Sequence, residues 1–306
     1  MRIVYLGTPD FAVLPLKKIV ESAKYDIIAV VTNKDKPVGR KQILTPPPVK
    51  VYAQEQNIPV FQYDKIKFEG VEDLKALNPD LMITCAFGQI LSQEILDIPK
   101  LGVINIHASL LPKYRGASPI HYAILGGETK TGVTIMKTDI GIDTGDMLLQ
   151  KEIDILPNET CGELFERLSL LGADAIIEAL PLIESGSANF VKQDDAKASH
   201  SKIIRKEHAL IDWKDSAKNI CNKIRAYNPA PVAYCYLNGN PFKIYSARIS
   251  EINGQAGKVL KADNELVIGC GDGAVSLLNV QKAGGKPMNI VDFLRGNKFE
   301  VGSEFN

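Results

Sequence analysis

Over its first ~180 residues the chain alternates short apolar runs with stretches whose apolar positions recur at helical spacing. The runs at 2–6, 25–32, 81–86, 103–106 and 132–137 predict core strands. The segments 11–21, 49–56, 71–77, 92–95 and 119–125 predict helices between them, and 160–184 reads as one longer helix. Ser118-Pro119 supplies a capping residue followed by proline at the first helical position. Strands and helices in alternation imply a mostly parallel sheet with crossover helices, an α/β domain.

Two segments break this rhythm. Residues 33–48 hold Lys34, Lys36, Arg40 and Lys41 against one acid, Asp35, and end in Pro46-Pro47-Pro48. They predict a long basic loop, and such a loop inside a compact domain is more often functional than structural. Residues 190–206 are polar and read as an interdomain connection. Beyond 207 the pattern changes. A helix predicted over 217–226, with Ile220, Cys221 and Ile224 on one side, is broken by Asn228-Pro229-Ala230-Pro231. Short β-rich runs follow at 232–237, 242–247, 257–262, 265–270 and 274–280, with turn signals at Asn238-Gly239 and Gly271-Asp272-Gly273. Strands so spaced predict a small β-barrel.

The 306 residues, 45% hydrophobic and 24% charged, fit a globular protein of one large or two ordinary domains. No apolar run approaches the ~18 residues of a membrane span. The N-terminus reads as a first core strand and lacks a signal-peptide pattern. Five scattered cysteines without a CxxC read as reduced thiols in the core of a cytoplasmic protein. The formal net charge of zero hides an asymmetry. Residues 1–195 carry 20 Lys/Arg against 26 Asp/Glu, net −6, and residues 196–306 carry 16 against 10, net +6. Opposite halves suggest two domains with different partners, the second polyanionic.

Candidate chemistry gathers at the end of the run 101–106. Asn105 and His107, two residues apart on a strand, point to one face, and the chain then enters Ala108-Ser109-Leu110-Leu111-Pro112-Lys113-Tyr114-Arg115-Gly116. A polar pair leaving a buried strand into a loop is where an open α/β sheet keeps its chemistry. A lone histidine is more often structural; the spacing with Asn105 argues otherwise here. Gly7-Thr8-Pro9-Asp10 could hold an anion at a helix start, but it is not GxGxxG, and no GxxxxGK[ST] exists. The four histidines lack zinc-site spacing, so no metal is expected. Asp139, Asp143 and Asp146 lie on one glycine-bearing turn; the calcium-loop pattern fails there, and position leaves open which aspartate faces a site.

These stretches together resemble the methionyl-tRNA formyltransferases, a group of folate-dependent formyltransferases, over essentially the whole chain. The matching segments include Gly7-Thr8-Pro9-Asp10-Phe11, Ala86-Phe87-Gly88-Gln89-Ile90-Leu91, the Asn105–Gly116 motif, 131–148, Ile211-Asp212-Trp213, 224–229 and Asp292-Phe293-Leu294-Arg295-Gly296. Phe87 and Ala230 stand where tyrosine and tryptophan are more usual in the family. The resemblance implies a Rossmann-like catalytic domain over 1–189, a linker over 190–206 and an OB-like, tRNA-binding β-barrel over 207–306. It places the catalytic trio on Asn105, His107 and Asp143. It places the folate turn on Ser109, Leu110, Leu111 and Pro112, with Phe87, Gly88, Gln89, Ile90 and Leu91 walling the pterin pocket. The basic loop, with Lys34, Lys36, Arg40 and Lys41, is the expected contact to the tRNA acceptor end. The implied reaction moves the formyl group of 10-formyltetrahydrofolate to the α-amino group of initiator methionyl-tRNA, in a monomeric enzyme free of metal and membrane. Asn105 and a protonated His107 would donate to the oxyanion, and Asp143 would take the amine proton. Two other readings change the acceptor to an amino-sugar nucleotide or to glycinamide ribonucleotide. A formyl-folate hydrolase would normally carry a further module, and a non-catalytic RNA-binding protein would leave the trio without a purpose.

Overall fold

A computed structural model describes residues 1–39 and 41–305, so Arg40 of the basic stretch lies outside the described residues. The chain divides into two compact units. The first comprises Met1–Pro119, Lys130–Ile153 and Phe165–Lys202; the second comprises Ile120–Thr129, Asp154–Leu164 and the chain from Ile203 on.

In the first unit the strands are β1 (Arg2–Gly7), β2 (Asp26–Thr32), β3 (Lys36–Val38), β4 (Ile43–Thr45), β5 (Val60–Gln62) and β6 (Leu81–Cys85). They continue with β7 (Val103–His107), β8 (Arg115–Gly116), β9 (Lys130–Lys137), β10 (Met147–Asp154) and β11 (His200–Ser201). Helices α1 (Val13–Glu21), α2 (Pro48–Glu55), α3 (Ile66–Glu69), α4 (Val71–Leu77) and α5 (Gln93–Leu96) intervene, while α6 (Pro119–Leu125) falls almost wholly in the second unit and α7 (Cys161–Glu184) belongs to the first from Phe165 on. The main sheet runs β10-β9-β7-β6-β1-β2-β5. The pairs β1–β2, β1–β6, β2–β5 and β6–β7 are parallel, and β7–β9 is antiparallel. The expected mostly parallel sheet is thus present. β1 is central and buried from Ile3 through Gly7; at about 1.5–3 kcal/mol for each large apolar side chain, such strands anchor the unit. The chain builds outward from β1 to β5, then returns to β6 on β1's other side. That reversal falls at the carboxyl ends of β1, β6 and β7, the side on which α/β sheets bind ligands.

Two expectations change here. The stretch 33–48 is no plain loop but carries the antiparallel hairpin β3–β4. β5 and β10 were not foreseen. β5 has three half-buried residues, too few for a periodicity, and β10 alternates intermediate and exposed positions along a sheet edge. Residues 191–201 are fastened along their length to the first unit. Val191 bridges Met147, and His200–Ser201 pair in parallel with Arg115–Gly116.

In the second unit, α8 (Ala217–Ala226) and α9 (Ile290–Gly296) accompany β12 (Ala233–Leu237), β13 (Asn240–Ser250), β14 (Val259–Ala262), β15 (Leu266–Gly269), β16 (Ala274–Lys282) and β17 (Met288–Asn289). An antiparallel sheet runs β12-β13-β16-β15-β14, with β17 against β16. The Asn238-Gly239 signal joins β12 to β13 directly. Leu237 pairs Asn240 across two residues at φ 50 and 76, the left-handed geometry that Asn-Gly supplies in a tight hairpin. One apolar core holds the unit, with Ile220 and Ile224 of α8, Phe242, Leu277 and Phe293 all inside. Burial pushes the Cys85, Cys161 and Cys270 thiols up to about 12. The buried cysteines therefore behave as packed side chains and not as nucleophiles.

Candidate active site

Asn105 leaves the sheet on β7, opposite Thr84 of β6 in parallel register. The Thr84 hydroxyl donates to Asn105 Oδ1 at 3.0 Å, which fixes the amide. The Asn105 Nδ2 donates to Asp143 Oδ1 at 3.2 Å. An amide nitrogen carries two hydrogens, so one remains for a ligand.

His107, 5% exposed, has both ring nitrogens engaged. Nε2 lies 3.0 Å from the Tyr114 carbonyl. A carbonyl only accepts, so Nε2 carries a proton in either charge state. Nδ1 lies 3.6 Å from Asp143 Oδ2 and is the nitrogen that can gain or lose one. The expected histidine donor to a substrate oxygen therefore has a single nitrogen to work with, and a carboxylate already stands beside it.

Asp143 is where the elements meet. It is a non-glycine residue at φ 52, a conformation that raises the energy of most L-residues by about 1–2 kcal/mol but that aspartate tolerates better. Its Oδ2 accepts the Gly116 N–H at 2.8 Å. Gly116, at φ 112, is required to be glycine: a Cβ there would stand 2.4 Å from the Ser201 carbonyl, inside the β8–β11 pairing. The side chain of Asp143 is 18% exposed, so the cluster meets solvent. Of the three aspartates on the turn, Asp139 is occupied otherwise, accepting from the Thr144 hydroxyl and the Gly141 N–H.

The expected folate residues divide into two kinds. Ser109 is fully buried and closes the turn by donating to the Lys113 carbonyl, while the Leu111 N–H donates to Thr134. Leu110 and Pro112 are half-buried and face outward in part. Phe87 and Leu91 sit in the core beside Val4 and Ile95. Gln89 spends its side chain on fastening strand ends. It donates to Asn33 Oδ1 at 2.7 Å and accepts the Ile66 N–H at 2.8 Å. Gly88 and Ile90 are exposed, with Ile90 at 72%. The outward wall is thus Gly88 and Ile90 with neighbouring backbone. Asn105 Nδ2 and the Asp143 carboxylate supply a donor and acceptors, and Leu110, Pro112 and Ile90 supply apolar surface, a chemistry that suits a flat, amide-rich heterocycle.

Of the expected RNA contacts, Lys36 and Lys41 are exposed, and Lys34 is salt-bridged to Asp64. The hairpin base is clamped by Lys50, which donates to both Asp35 oxygens and to Gln62 Oε1 at 2.8–2.9 Å. A separate cavity of about 540 Å³, between α1, α2 and α7, contains none of the trio. Among the described residues no acid, histidine and cysteine cluster could hold a metal, and no helix is long and apolar enough to cross a membrane.

Sequence reasoning missed Gln193. Its Nε2 donates to the carbonyls of Asp143 and Gly145, both at 2.8 Å, and its Oε1 accepts from Arg115 Nε at 3.0 Å. A glutamine in a polar stretch carries no periodic signal, so only the tertiary contact reveals it.

Residues 1–180 match the formyl transferase family, and residues 203–298 match the formyl transferase C-terminal domain. The chain is 45% identical to the methionyl-tRNA formyltransferase of Geobacter metallireducens over 304 residues, covering 99% of this chain and 97% of that protein. It is 46% identical to the methionyl-tRNA formyltransferase of Syntrophus aciditrophicus over 307 residues, covering 99% and 98%. Among solved structures, the Helicobacter canadensis N-formyltransferase bound to folinic acid and dTDP-3-aminofucose is similar in fold. Its TM-score is 0.68 at 24% identity, covering 92% of this chain and 98% of that one. HypX from Aquifex aeolicus with tetrahydrofolic acid gives 0.64 at 20%, covering 99% and 50%.

Proposed function

The chain belongs to the formyl transferase family, and from that premise we propose that Asn105, His107 and Asp143 transfer a formyl group from 10-formyltetrahydrofolate to the α-amino group of initiator methionyl-tRNA. The reaction is that of a methionyl-tRNA formyltransferase. The observation that carries the residue assignment is the Asp143 carboxylate, which meets Asn105 Nδ2, the Gly116 N–H and His107 Nδ1 at the carboxyl edge of the sheet.

Bound folate would supply an electrophilic one-carbon group. Leu110 and Pro112 with the Gly88–Ile90 rim are the residues we assign to hold it. An α-amino group titrates near 8, and esterification lowers that further, so an unprotonated nucleophile exists at neutral pH. Asn105 presents its free amide hydrogen to the oxygen on which negative charge develops. A carboxylate has about four lone-pair positions, and neither Asp143 oxygen is saturated, so Asp143 can receive the amine proton directly or through one water. His107, held by the Tyr114 carbonyl, presents Nδ1 to that same carboxylate and can share the proton, which passes to N10 of the folate as the bond between N10 and the formyl carbon breaks.

Formyl transfer is assigned to residues 1–189 and tRNA contacts to 207–306, with 190–206 between them. Exposed Lys36 and Lys41, with Arg40, are assigned to the acceptor end in a monomeric cytoplasmic enzyme. The test supplies labelled 10-formyltetrahydrofolate with charged initiator tRNA, charged elongator tRNA and a sugar-nucleotide amine. Label is expected on the initiator species; label on the sugar alone overturns the acceptor assignment.

A further inference from the structure

We infer that Gln193, gripped by Arg115, is a positioning residue that sets the Asp143 carboxylate in its working place. The inference rests on the functional reading above and adds a residue that never touches the reacting atoms.

Gln193 and Arg115 are each 5% exposed. Burying an amide and a guanidinium is unfavourable unless their polar atoms find partners, and the Gln193 amide is bonded at both its nitrogen and its oxygen. The two hydrogens of Nε2 go one each to the carbonyls of Asp143 and Gly145, both at 2.8 Å. Oε1 takes Arg115 Nε at 3.0 Å, and Arg115 Nη2 reaches Asp195 at 2.7 Å. The two carbonyls belong to the turn that holds Asp143 at φ 52. The turn has little room to drift, because a Cβ on Gly145 would stand 1.9 Å from the Lys137 carbonyl.

The arrangement grips Asp143 from two sides. Gln193 holds its main chain from behind. Gly116, the residue after Arg115, donates its N–H to the carboxylate in front at 2.8 Å. Consecutive residues of the Asn105–Gly116 motif thus anchor both ends of one aspartate. Glutamate at 193 would lack the two donors, and asparagine is one methylene shorter. Misplacing a catalytic group by about 1 Å costs on the order of 100-fold in rate, so a clamp of this kind governs turnover more than binding.

Gln193→Leu tests it, with single-turnover rates and KM for both substrates. The expected result is a ~10- to 100-fold loss in rate with each KM within about 3-fold of wild type. In an Asp143→Ala background the same substitution is expected to lose less than about 2-fold more, since a residue acting through Asp143 has nothing left to position. Ser169→Ala removes a buried hydrogen bond to the Phe11 carbonyl elsewhere in the unit and controls for general destabilisation; it should leave the rate near wild type. Arg115→Lys is the milder variant and should give the same non-additive pattern with a smaller loss, which keeps the test decisive if Gln193→Leu does not fold. A Gln193→Leu rate within about 3-fold of wild type, or a loss equally large with and without Asp143, overturns the clamp. Wild-type protein unable to formylate methionyl-tRNA overturns the functional reading and the clamp together, which distinguishes the two failures.

Discussion

Asn105, His107 and Asp143 are held by different partners, so their removal should fail in different ways. Asn105→Ala removes the free amide hydrogen and leaves the Thr84 hydroxyl without its 3.0 Å acceptor. His107→Ala removes the Nε2 bond to the Tyr114 carbonyl and takes the Nδ1 nitrogen away from Asp143. Asp143→Ala removes the carboxylate proposed to accept the amine proton. Each is expected to lower turnover by at least ~100-fold, and stopped-flow or quenched transfer with charged tRNA checks this; near-normal turnover removes that residue from the trio. The strand alternation alone put Asn105 and His107 on one face at the end of β7. Choosing Asp143 over Asp139 and Asp146 needed family resemblance, because nothing local separates three aspartates on one turn. The structure adds a physical reason, since Asp139 is occupied by Thr144. Gln193 was not legible at all: its partners are 48 to 78 residues away in sequence.

At the scale of elements, the parallel strands β1, β2, β6 and β7 were readable because most of their positions are buried and therefore apolar in a run, whereas β5, also parallel, has only three half-buried residues. The hairpin β3–β4 was not. Its strands are three residues each and fully exposed, so burial leaves no pattern in them. Val38, Ile43 and Leu44 are 56–65% exposed on a hairpin whose base is fixed by the Lys50–Asp35–Gln62 cluster. Apolar and basic residues together on a projecting hairpin suit the unpaired end of an RNA stem, where bases can stack and phosphates need cations. Arg40→Ala and Lys41→Ala are each expected to raise KM for methionyl-tRNA several-fold while the folate Kd stays within about 2-fold. A fluorescence titration with folate and a transfer assay with charged tRNA check both; equal loss of folate affinity refutes the role.

For the molecule as a whole, a formal net charge of zero gives no overall attraction to a polyanion, yet the charge is unevenly placed. Residues 1–195 carry −6 and residues 196–306 carry +6. Screening acts over roughly 8–10 Å near physiological salt, so a charged ligand senses the local surface more than the sum. RNA held by lysine and arginine releases counterions, and its affinity falls steeply and linearly with salt on a logarithmic scale. A folate held mainly by apolar contacts and backbone groups has no comparable reason to weaken. Raising salt from 50 to 200 mM is therefore expected to increase KM for methionyl-tRNA by at least ~10-fold while the folate KM moves less than about 2-fold. Steady-state assays over that range, each with the other substrate saturating, measure the two slopes. If the basic half contacts phosphates, Lys→Gln substitutions there will flatten the tRNA slope by about one unit per lost contact. A tRNA KM indifferent to salt would mean that the positive charge beyond residue 195 serves solubility, and that recognition rests on the hairpin alone.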